Sequence, residues 1–184
     1  MDLWKEYSVA GRSAKVEHYQ RLVALGCPIQ SLAALAPDNW PFGVAKVQWL
    51  PGGLFELAEG GESAVIMPVS DEGCGLFSPE PFDLIAWQTW RPRRWAWRCG
   101  LAPALGESLI DDCDVLPVVE TPLDWLARAG ASLCVLDWQA PPSFWERLRL
   151  GPRLVVQSED LRAKLHAAFR RAMVLPDMEV DRAA

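Results

Sequence analysis

Apolar residues recur along this chain with a spacing that changes twice. Near the N-terminus it is helical. Ser13 is placed to cap a helix running to about Leu25, with Val16, Tyr19, Leu22 and Val23 on one face and Gly26 as the stop. A second short helix fits Ser31–Leu35, ended by Ala36-Pro37. From Trp40 the period falls to two. Strands are expected over Val44–Leu50, Leu54–Ala58 and Ala64–Val69, turned by Pro51-Gly52-Gly53 and Glu59-Gly60-Gly61. Ser70–Pro81 reads as a loop, Asp83–Trp90 as a strand, and Trp95–Cys99 as its hairpin partner. The prediction for this stretch is an antiparallel meander of four or five strands.

After a short helix expected over Pro103–Ile110, brief apolar runs alternate with capped helices. Leu116–Val119, Leu133–Leu136 and Leu154–Val156 read as strands. Thr121-Pro122-Leu123-Asp124 and Ser143-Phe144-Trp145-Glu146 look like capping boxes, stopped by Gly130 and Gly151. A last helix spans Asp160–Met173, with Leu161, Leu165, Ala168 and Ala172 on one stripe. Strands alternating with helices favour a parallel sheet. The fold class expected is therefore α+β with an α/β part: an N-terminal helical segment (1–39), the meander (40–100), a three-strand βαβαβα unit (101–175) and a short tail (176–184), in one compact unit.

Composition adds limits. Of 184 residues 51% are hydrophobic and 23% charged, which is ordinary for a folded domain and argues against disorder. No apolar run is long enough to span a bilayer, and the first residues lack the pattern of a signal peptide, so no membrane role and a cytoplasmic location are expected. The five cysteines form no CxxC pair, which speaks against both a disulfide framework and a zinc site. Net charge is −6, with −5 in residues 1–80 and −1 in residues 81–184. Twelve of the thirteen basic residues in the second part are arginine. An acidic chain contacts nucleic acid only through a local basic patch, and Arg91, Arg93, Arg94 and Arg98 form the dense candidate.

Two constellations could carry chemistry. Glu120, Asp137 and the Ser158-Glu159-Asp160 group lie at the ends of three successive strands, where ligands bind in open parallel sheets. Glu120, Asp137, Glu159 and Asp160 are the candidate ligands for a hard cation such as Mg2+. Capping offers a competing account of most of these acids, but not of Glu120. In Trp90–Arg98, Arg91, Arg93, Arg94 and Arg98 with Trp95 and Trp97 could grip phosphates and stack bases. A strand with its tryptophans in the core and its arginines outward would produce the same pattern.

The run Leu116-Pro117-Val118-Val119-Glu120, with Asp124 four residues on, then Leu126 and Ala129-Gly130, resembles the Toprim fold of primases, topoisomerases and related nucleases. Leu154–Asp160 falls where that family has a strand ending in Asp-x-Asp. The resemblance implies acid/base chemistry for Glu120 and magnesium binding for Asp160. The family's first aspartate is replaced by Ser158, and the glycine after its glutamate by Thr121. The preceding strands, through Gly43-Val44-Ala45, Ala64–Val69, Asp83–Ala86, Trp95–Gly100 and Leu105-Gly106, are similar in layout to small primase-related proteins of bacterial prophages.

Three functions follow as expectations. One is a catalytically degenerate Toprim-like protein that binds nucleic acid or a replication protein. The second is an active Mg-dependent phosphotransfer or nuclease enzyme, with Asp137 or Glu159 standing in for the lost aspartate. The third is a protein-interaction module without a metal site or other cofactor.

Overall fold

A computed structural model describes residues 1–35, 40–70 and 81–173. The helix-ending Ala36-Pro37, most of the expected Ser70–Pro81 loop, Cys74 and the expected tail lie outside the described residues.

The N-terminal segment holds three helices, α1 (Leu3–Arg12), α2 (Val16–Ala24) and α3 (Ile29–Leu35). Helix α1 has no counterpart in the sequence reading. Asp2 caps it by accepting the Lys5 N–H at 2.8 Å. Ser13 closes this helix rather than opening the next, and its hydroxyl donates to the Val9 carbonyl. Helix α2 starts instead at Lys15, whose N–H is taken by His18 Nδ1.

Five strands follow: β1 (Gly43–Leu50), β2 (Leu54–Leu57), β3 (Glu62–Val69), β4 (Asp83–Gln88) and β5 (Arg91–Trp97). All neighbours are antiparallel except β2 and β5, whose single parallel pairing, Leu54 with Trp97, closes the sheet into a barrel in the order β1-β2-β5-β4-β3. Closure removes the two exposed edges that the expected open meander would have left. Val47, Phe55, Ala64, Ile66, Leu84, Ala86 and Ala96 fill the interior. Tyr7 and Ala10 of α1 join this cluster at the end where β1 begins. Gly43 makes that contact possible, since a Cβ there would lie 2.6 Å from the Ala10 Cβ.

The β4–β5 turn is tighter than expected, only Thr89-Trp90. Trp87 faces Trp95 but Gln88 faces Arg91, so Pro92, Arg93 and Arg94 form a bulge.

The α/β unit comprises β6 (Ala104–Leu105), α4 (Leu109–Asp112), β7 (Val115–Val119), α5 (Pro122–Ala127), β8 (Leu133–Val135), α6 (Pro142–Leu150), β9 (Arg153–Val156) and α7 (Glu159–Ala172). Strands β7, β8 and β9 are parallel, as expected, with β7 between the other two. The helix expected over Pro103–Ile110 is largely replaced by β6, which adds an antiparallel strand beside β8 because Ala104 and Leu105 are both buried there. Thr121 and Asp124 do form a capping box. Ser143 does not cap α6, which begins at Pro142 after Pro141.

One sheet face packs on α6 and α7 through Leu116, Val118, Leu133, Val135, Phe144, Trp145, Leu161 and Leu165. The other shares a core with the outside of the barrel, where Val119, Cys134 and Leu136 meet Met67, Ile85, Trp87, Trp95 and Trp97. This shared core fixes the barrel strands against the carboxyl ends of β7 and β8.

Candidate functional site

The acids at the strand ends do not gather around a common point. Glu120 follows β7 and is half-buried. Its Oε1 accepts the Ser158 hydroxyl at 2.7 Å, and its Oε2 pairs with Arg93 Nη2 at 2.8 Å. Ser158 also caps α7, accepting the Leu161 N–H at 3.1 Å. Asp137 turns back on its own loop and accepts the Gln139 N–H. Glu159 pairs with Arg162 in the first turn of α7, and Asp160 is exposed there. Asp124 is engaged by the Thr121 N–H and hydroxyl. Among the described residues no group of three or more His, Cys, Asp or Glu side chains could hold a metal ion. The convergence of Glu120, Asp137, Glu159 and Asp160 expected from the sequence is thus absent. Each acid meets a local donor or cation, or solvent, before it meets another acid.

Two neighbours of Glu120 were not legible as its partners. Arg93 arrives from the bulge of β5. Lys164, on α7, places its amino group 3.9 Å from the centre of the Trp138 ring. Burial pushes the Lys164 amine below the usual lysine range, and Glu120 opposes that shift. The signal available in the sequence was compositional, because Lys164 is the one lysine among the basic residues of the second half.

The arginine–tryptophan strand divides by face. Trp95 donates its indole N–H to the Leu136 carbonyl, and Trp97 donates to that of Ala102. Both belong to the core between barrel and sheet, so neither ring is a free stacking platform. Arg98 binds Glu6 of α1 through two hydrogen bonds of 2.8 and 3.1 Å. Arg93 is committed to Glu120.

Arg91 and Arg94 are different. Both are exposed, and neither makes an ion pair within 4.0 Å among the described residues. With Trp49, Glu62 and Gln88 they line a polar cavity of about 230 Å³ at the barrel mouth opposite α1. Glu62 Oε2 accepts the Gln88 amide at 2.6 Å and the Trp49 indole at 2.9 Å. These two bonds, with the nearby Arg91 and Arg94 charges, hold the Glu62 carboxyl below its usual range. Trp90, at the adjoining turn, is 59% exposed. Trp95 and Trp97, the rings expected to stack bases, are thus the packed ones, and Trp90 is the exposed tryptophan of the segment. Its position in the two-residue β4–β5 turn leaves it outside the strand pairing that buries the others.

Compared with family models, curated proteins and solved structures, the chain finds no match in any of the three. Among the described residues no helix is long and apolar enough to cross a membrane.

Proposed function

We propose that this chain is a non-catalytic nucleic-acid-binding module, a Toprim-like protein related to primases in which the metal chemistry has been lost. The observation that carries the binding function is the pair Arg91 and Arg94, without ion-pair partners among the described residues, with the exposed Trp90 next to Arg91 in the chain. Unpaired guanidinium groups beside an exposed indole suit a single strand, whose phosphates take the charge and whose bases take the ring. The degenerate reading draws support from Glu120, whose two oxygens are engaged by Ser158 and Arg93.

Fluorescence anisotropy with labelled single-stranded oligonucleotides tests the reading. Binding should weaken steeply as salt rises, and the double substitution Arg91→Ala with Arg94→Ala should weaken it about tenfold or more and flatten the salt slope by about two. Absence of binding at low salt would refute the nucleic-acid function.

A further inference from the structure

Glu62 is an odd residue to find among phosphate-binding arginines, because a carboxylate repels the backbone they attract. It is also unusually well held for an exposed side chain. Gln88, which is 6% exposed, and Trp49 both donate to Oε2, so the carboxylate is fixed in place. Its other oxygen, Oε1, takes no hydrogen bond from the described residues. The cavity beside it, about 230 Å³, has volume enough for a single nucleobase. Trp90, next to Arg91 in the chain, lines a separate, mostly apolar hollow.

Building on the nucleic-acid reading above, we propose that the barrel mouth reads one nucleobase. Arg91 and Arg94 hold the flanking phosphates, Trp90 stacks on a neighbouring base, and Glu62 Oε1 accepts a hydrogen bond from an exocyclic amine in the cavity. Cytosine presents such a donor at N4, whereas thymine presents a carbonyl at the same position. A carbonyl facing Glu62 would set two acceptors against each other. The pocket therefore selects amine-bearing bases and discriminates against thymine, and its preformed carboxylate needs no rearrangement to do so.

The test compares labelled oligo-dC and oligo-dT of equal length, with the wild type and with Glu62→Ala, an exposed position outside the apolar core. Folding of the variant is checked by thermal melt. The wild type should bind oligo-dC about fivefold or more tighter than oligo-dT, a ratio within the reach of one base contact. In Glu62→Ala the ratio should fall to about one, with oligo-dT bound at least as tightly as before. Equal affinities in the wild type, or a preference that survives Glu62→Ala, would overturn base reading while leaving nucleic-acid binding intact. Equal tightening on both oligonucleotides in the variant would show that Glu62 acts only as a repelling charge. Binding of neither would overturn this proposal together with the function on which it rests.

Discussion

The Asp83 carboxylate, fully buried at the start of β4, accepts four backbone N–H groups. Oδ1 takes those of Leu84 and Cys99, both at 2.8 Å, and Oδ2 those of Leu101 and Ala102, at 2.7 and 3.1 Å. It thereby ties the barrel to the segment that leads into the α/β unit. Replacing it by alanine strands several buried donors, and each stranded donor costs about 1–3 kcal/mol. Asp83→Ala should therefore lose at least ~3 kcal/mol in urea unfolding, with Asp83→Asn intermediate because its amide keeps one acceptor oxygen. A loss below ~1 kcal/mol would mean that water replaces the carboxylate. At the same scale the thiols are plain. Cys27 and Cys134 are buried, and burial pushes the Cys27 thiol up to about 11 and raises that of Cys134 as well. They are packing groups, not nucleophiles.

Among the elements, the β7–α5 and β9–α7 connections bring Glu120 and Ser158 into contact. Both helices are capped by hydroxyl residues, Thr121 and Ser158, and Ser158 bonds Glu120 where a second carboxylate would repel it. A substitution at this contact tests the proposed loss of metal chemistry. Aspartate caps helices as well as serine does, so Ser158→Asp should retain α7. Without metal its charge beside Glu120 should lower stability by about 1 kcal/mol, and magnesium should return that loss. The wild-type melting temperature should not respond to magnesium. A rise in the wild type would favour the enzyme reading over the binding module. Only part of this level could be read from the sequence. Thr121-Pro122-Leu123-Asp124 announced α5 because a cap, a proline and an acid at fixed offsets are local requirements. The box at Ser143–Glu146 failed because Pro141-Pro142 offers an earlier helical start, with proline fixed at a helical φ. Helix α1 was overlooked because its buried face is only Tyr7, Ala10 and Gly11, too small a set to stand out.

At the scale of the molecule, barrel and sheet share one core. Trp95 and Trp97 cross it, each with its indole N–H bonded to a carbonyl beyond the barrel strands. The Arg93–Glu120 pair spans the same boundary but is open to solvent at the arginine, so it contributes about 1 kcal/mol at most. The apolar contact dominates. Unfolding should be a single transition, with far-UV and near-UV circular dichroism superimposing. Trp95→Ala should cost ~3 kcal/mol or more and shift both signals together. Two separate transitions, with only one moved by the substitution, would show that the units fold independently.

The sequence by itself determined most strands, the capped helices α5 and α7, and the parallel order of the α/β unit. These follow from short-range rules: the period of apolar residues, the caps and the turn residues. Tertiary structure decided the rest. Barrel closure depends on β2 meeting β5, strands more than thirty residues apart, through one pair of residues. Of the partners of Glu120, Ser158 lies in the group expected at a neighbouring strand end, whereas Arg93 comes from a bulge in the barrel, about which spacing along the chain carries no information. The same holds for the arginine–tryptophan strand. Its composition marked the segment, but only packing could assign Trp95 and Trp97 to the core and leave Arg91, Arg94 and Trp90 at the surface, because burial depends on what lies opposite.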